Sequence, residues 1–207
     1  MKIIWASCIV LGATLGCSST NKLSEVDATT ESRSPQLTKN YTMGINSYSD
    51  GDANYTGLYN TFEYRATLLN SAVHKLVLNQ QAKSYLWDEE KLSKEDEKNQ
   101  KKMADFTEIF LSFYTPERKN DNLTDAKSIW RVYLDVGGRR YTGKVKRDRS
   151  LLAEIQALFP YHTRWNTAYR VSFPIPTATV DTQNSQVTIT GPLGTKTVNF
   201  SAMPQTM

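Results

Sequence analysis

Cysteine is nearly absent from this chain. It has only Cys8 and Cys17, with none downstream. Everything after Cys17 therefore has no thiolate zinc site, no cysteine nucleophile and no internal disulfide. Histidine is as scarce. His74 and His162 are the two present, and neither has metal-ligand spacing to another candidate ligand. His74 lies among apolar neighbours on a helical pattern and reads as structural. No apolar run approaches the ~20 residues of a membrane-spanning helix. The chain also lacks a G-x-S-x-G elbow, a phosphate-binding loop and a zinc-protease motif. Charge of one sign is not dominant: 25 Lys and Arg face 21 Asp and Glu, a formal net charge of +4, which selects no partner. These absences predict no metal, no cofactor and no catalytic residue.

What is present begins at the N-terminus. Lys2 precedes the apolar run Ile3 to Leu11, and the small-residue stretch Gly12 to Gly16 leads into Cys17. A charged start, an apolar core and small residues at a cut site make a secretory signal. With Leu15-Gly16-Cys17 at its end, the segment resembles the signal peptide of bacterial lipoproteins. Thr14 stands where that family prefers leucine. The resemblance implies a signal peptide at residues 1–16 and acylation of Cys17, palmitate included. It also implies a protein held at the cell envelope. Ser18 follows the cysteine where aspartate retains such proteins at the inner membrane, so the resemblance implies the outer membrane in a Gram-negative source. Two or more acyl chains anchor stably where one does not. Such a location leaves nucleic acid out as a partner.

Residues 17–40 carry the acylated cysteine and a Ser-, Thr- and charge-rich stretch with few sizeable apolar residues. It reads as a disordered tether with a reach of about 25 Å. A single domain is expected over 41–203. Its first part, 41–60, reads as aromatic residues among turn formers. Asp50, Asp52 and Asn54 there match the opening spacing of a calcium loop. Tyr55 and Thr61 stand where glycine and glutamate are needed, so a polar turn is expected.

Thr61 to Leu69 alternates as a strand, and from Ser71 the period becomes helical. A charged helical insertion is expected at about 71–104, with Glu90–Lys94 and Glu97–Lys101 spaced to pair. The stretch from Phe106 to Thr115 is apolar on both faces and predicts a central strand. Trp130, Val132, Leu134 and Val136 alternate up to Gly137-Gly138, a tight hairpin turn, with a return strand Arg139 to Val145. Residues 150–159 suit a helix, with Ser150 able to cap it, and a strand equally. A further strand runs through Tyr169, Val171, Phe173 and Ile175. A second hairpin closes the chain through Val187, Ile189, Val198 and Phe200.

The fold class read from this pattern is mainly β: an antiparallel sandwich of about seven or eight strands. The succession WRVYLDVGGRRYTG, YRVSFPIP, VTITGPLGTKTVNF resembles the immunoglobulin-like domains of bacterial lipoproteins. Two groups of residues are candidate contacts. Arg139, Arg140, Lys144 and Lys146 belong to a basic run extending to Arg147 and Arg149. Arg140, Lys144 and Lys146 are expected to share one strand face, as a contact for anionic lipid or polysaccharide or as charges guarding an edge strand. His162, Arg164 and Trp165 form an aromatic and polar connection, a candidate ligand contact or a packed loop. The leading expectation is a non-enzymatic, membrane-anchored binding or assembly module with an envelope protein or anionic surface as partner. An envelope enzyme with its site near His162 and Trp165 is the alternative, as is a sensor of anionic surface through residues 139–149.

Overall fold

The computed structural model describes residues 34–124 and 127–204. The signal segment and Cys17 lie outside them. The strand expected to be central is central. β3 (Thr107–Tyr114) is buried along nearly its whole length and lies third in a five-stranded antiparallel sheet of order β1-β2-β3-β7-β6. Its neighbours are β2 (Tyr59–Leu69) and β7 (Thr167–Phe173), and β1 (Ser49–Thr56) and β6 (Lys144–Arg147) form the edges. Side chains alternate between sheet faces. Ile109, Leu111 and Phe113 point toward the second sheet, while Phe110 points the other way into a separate apolar cluster.

The second sheet is four-stranded, with order β5-β4-β8-β9. It comprises β4 (Arg131–Val136), β5 (Arg139–Thr142), β8 (Ser185–Gly191) and β9 (Gly194–Phe200). Val132, Leu134, Val187 and Ile189 meet Phe62, Leu111 and Val171 of the first sheet in one buried core. Trp130 lies edge-on to Phe62 and Phe113, with ring centres 4.8 and 5.2 Å apart. The described residues thus form a mainly β, antiparallel sandwich of nine strands. β1, in the region read as turns, is one addition to the expected seven or eight, and the division of the expected return strand is another.

The expected return strand Arg139 to Val145 is divided. Arg139 to Thr142 pairs with β4, whereas Lys144 to Arg147 leaves that sheet and pairs with β7 in the other. The chain crosses at Gly143. A Cβ there would lie 2.4 Å from Val171 Cγ1, 2.9 Å from Phe173 Cε1 and 3.1 Å from the Val132 carbonyl oxygen. Only a residue without a side chain fits this corner.

Helices cover the outer face of the five-stranded sheet. The helix α1 (Ser34–Ser47) overlaps the stretch expected to be a tether, and Tyr41 and Ile45 are buried against the sheet. The expected insertion is two helices, α2 (Ser71–Ser84) and α3 (Glu89–Asp105). The ambiguous stretch 150–159 contains α4 (Leu152–Leu158). Tertiary packing decides it: Phe159 stacks on Phe110 at 3.8 Å, and Ile155 joins the same cluster. Ser150 does not cap it; its hydroxyl donates to Asp148, while Glu154 accepts from the Leu151 N–H. A short α5 (Thr177–Asp181) follows Pro176. β1 is polar and holds its place through side chains. Asn54 donates to the Leu193 carbonyl, and Asp52 pairs with Lys196 of β9 at 3.1 Å. Asp50, Asp52 and Asn54 therefore stand on a strand rather than in the expected polar turn.

Candidate functional site

Edge strand β6 aims two lysines over the outer face. Its antiparallel register sets Lys144 opposite Ser172 and Lys146 opposite Arg170, so all four side chains share that face. Glu108 lies opposite Ser172 on the far side, from β3. α2 contributes His74, Val77 and Gln81, and the end of α3 contributes Asn99 and Lys102. Together they enclose a cleft of about 630 Å3.

Two ion pairs occupy its floor. Lys102 Nζ lies 2.6 Å from Glu108 Oε2, and Ser172 donates to Oε1 of the same carboxylate at 2.8 Å. Arg170 pairs with Asp148 at 3.0 Å and lies over the Phe110 and Phe159 rings. Burial alone would raise the Glu108 pKa, but the hydrogen bond from Lys102, with Ser172 and Arg170, outweighs it and holds the carboxyl below its usual range. Asp148 is likewise held low: burial opposes ionisation, and Ser150 and Arg170 overcome it. Burial pushes His74 down, favouring its neutral form. With both acids satisfied, Lys144, Lys146 and Arg147 line the cleft with no carboxylate partner among the described residues. The arrangement offers exposed cations with free donors, suited to an anionic group.

Only part of the basic run converges here. Arg139 and Arg140 lie on β5, in the other sheet, so Arg140 does not share a face with Lys144 and Lys146. Arg140 grips Asp135 with two hydrogen bonds, 2.8 and 2.9 Å, and stacks over Tyr133. The crossover at Gly143 separates the two halves.

The aromatic connection also divides. His162 is buried, and its Nδ1 lies 2.8 Å from the buried Ser112 hydroxyl. Its ring meets Phe110 edge-on, and burial lowers its pKa. Arg164 is exposed, and Trp165 is 64% exposed. Trp165 stands at the rim of a second, open cleft of about 970 Å3 over β1, β2 and β3. His162 and Trp165, three apart in sequence, thus do different things.

Sequence reasoning missed Lys102, Glu108 and Arg170 in the first cleft and Glu63 and Arg65 in the second. A signal existed. Glu108 is a charge inside a strand apolar on both faces, where a buried charge needs a partner, and Arg170 interrupts an alternating apolar strand. Among the described residues no group of three His, Cys, Asp or Glu could hold a metal ion, and no helix is long and apolar enough to cross a membrane. No family model matches the chain, and no match is found among curated proteins or solved structures.

Proposed function

We propose that this chain is an envelope lipoprotein, anchored through acylated Cys17, whose sandwich is a binding module for anionic groups. The observation that supports the binding role is the outer-face cleft. There Lys144 and Lys146 stand exposed over a floor whose acids, Glu108 and Asp148, already have cationic partners. Phosphate-bearing lipid headgroups at the envelope supply the matching charge. The anchor supports this reading through proximity, since a tethered module meets the surface at high effective concentration. Ser18 after the cysteine directs the proposed address to the outer membrane in a Gram-negative source.

A chain beginning at residue 18, free of signal and acyl group, tests the cleft itself. Sedimentation with phosphatidylcholine vesicles containing phosphatidylglycerol should show binding that weakens as salt rises. At about 1 kcal/mol per cation near such a surface, losing both lysine charges costs about 30-fold, and Lys144→Glu with Lys146→Glu, which adds two carboxylates, should weaken binding by more than that. Arg139→Glu with Arg140→Glu should cost much less. Binding unchanged by the lysine pair would overturn the assignment of the cleft.

A further inference from the structure

We infer that the cleft at Trp165 is a second, independent binding site, and that it takes a neutral oligosaccharide built of pyranose rings. The inference starts from an exposed indole. Trp130 is 2% exposed, whereas Trp165 is 64% exposed, forgoing burial that contributes about 2 kcal/mol for a large apolar side chain. Nor is it on a loose loop. Thr163 Oγ1 donates to Asn166 Oδ1 at 2.5 Å and accepts from the Trp165 N–H, and the Asn166 N–H returns to the Thr163 carbonyl. A held, exposed indole presents a flat apolar face.

The floor beneath it is polar and incompletely used. The Arg65 guanidinium stacks on Tyr161 at 4.6 Å and donates to Asn46 Oδ1 at 3.1 Å. It has no carboxylate partner among the described residues, and its Nε is buried with no hydrogen-bond partner. That buried Nε lies out of a ligand's reach; what Arg65 offers the cleft is its positive charge and the guanidinium donors not used by Asn46. Glu63 lies on the same strand face, two residues away, and its carboxylate receives only a 3.4 Å contact from Asn60. Opposite Arg65, β1 carries Gly51. A Cβ there would lie 2.5 Å from the Tyr64 carbonyl oxygen and 3.1 Å from Arg65 Cβ, so the glycine lets β1 lie close against β2 beside Arg65.

A ligand matching this cleft needs a flat apolar face for the indole. Beside that face it needs donors for Glu63 and acceptors for Arg65. A pyranose ring meets each demand, with its C–H face on one side and vicinal hydroxyls that donate and accept. One guanidinium beside the Glu63 and Asp50 carboxylates disfavours sulfated or carboxylated sugars, which leaves neutral ones. The volume of about 970 Å3 and its open form suit several rings rather than one.

The full chain, held in a detergent without a sugar headgroup, should be titrated with cellotetraose, maltotetraose and N-acetylchitotetraose. At least one should shift tryptophan emission saturably and release heat in calorimetry. Trp165→Ala should weaken that binding about tenfold or more, and Trp165→Phe should retain most of it. The exposure of Trp165 leaves folding intact in either variant, and Lys144→Glu with Lys146→Glu should leave saccharide binding unchanged. Three silent oligosaccharides, or undiminished binding by Trp165→Ala, would overturn the inference. Loss of binding in the lysine variant instead would move the saccharide to the basic cleft and overturn it as well.

Discussion

Gly143 occupies the position where a single methyl group has the most to disturb. It carries the chain from β5 in one sheet to β6 in the other, and an added Cβ would press on Val171, Phe173 and the Val132 carbonyl. Gly143 is not among the glycines with positive φ, so contact rather than backbone strain is the cause. Gly143→Ala should destabilise by about 2 kcal/mol, as overpacking of a core does, read as a lower urea midpoint. In a Val171→Ala background, lacking the Cγ1 that the methyl meets, the same change should cost less. Equal cost in both backgrounds would remove contact as the explanation. This residue also shows what sequence leaves hidden. RRYTGKV alternates smoothly, and nothing in its pattern marks a change of sheet. Reading it as one strand put Arg140, Lys144 and Lys146 together, when the nearest partners of Lys144 and Lys146 were Ser172 and Arg170. His162 and Trp165 carry the same lesson: adjacency nominated both, but burial separates them.

At the scale of elements, α3 differs from the other α-helices among the described residues, each of which buries at least one side chain. It buries no residue, so packing contributes little and its own chemistry must sustain it. Asp88 caps it, accepting the Lys91 N–H at 2.8 Å. Lys91 and Lys98 converge on Glu95, and Glu97 pairs with Lys101 at 2.7 Å. The last of these pairs was legible from spacing alone. A tertiary tie at its C-terminal end is Lys102 to Glu108, on the floor of the basic cleft. Loss of a capping carboxylate costs about 1 kcal/mol. Asp88→Ala should therefore speed amide hydrogen exchange in Glu89–Asp105 about fivefold, with β3 and β7 unchanged. Acceleration spread evenly over the sheets would mean that α3 is integral to the core. Elements with their own periodicity, such as β3, β4 and β8, were readable. β1 was not, because SDGDANYT has no apolar face. It is held by pairing with β2 and by Asn54 and Asp52 reaching β9, information that lies in other strands.

The described residues form three layers, two sheets and a helical cover, and the third layer was the least legible. The pattern at 71–104 reads as an insertion because its solvent-facing charges dominate. Yet Val73 and Leu78 of α2 are buried, while Ile45 of α1 and Phe159 after α4 are fully so. This layering sets how stability responds to acid. The outer face gathers His74, His162, Glu108 and Asp148, four groups whose folded pKa values all lie below their ordinary ones. For the histidines burial is the main cause, so the unfolded chain binds more protons as pH falls below 6.5. For the carboxylates the cations and hydroxyls around them outweigh burial, and the same imbalance begins below 4.5 for Glu108 and 3.8 for Asp148. Wherever the unfolded state binds more protons, stability rises with pH. Both pairs therefore act in one direction: their contribution is complete at neutral pH and lost on acidification, histidines first. The thermal midpoint should decline from pH 7 to 5 and fall again below pH 4.5. His74→Gln with His162→Gln should flatten the first decline and leave the second. A midpoint that rises between pH 7 and 5 would show that these buried groups do not govern the acid response.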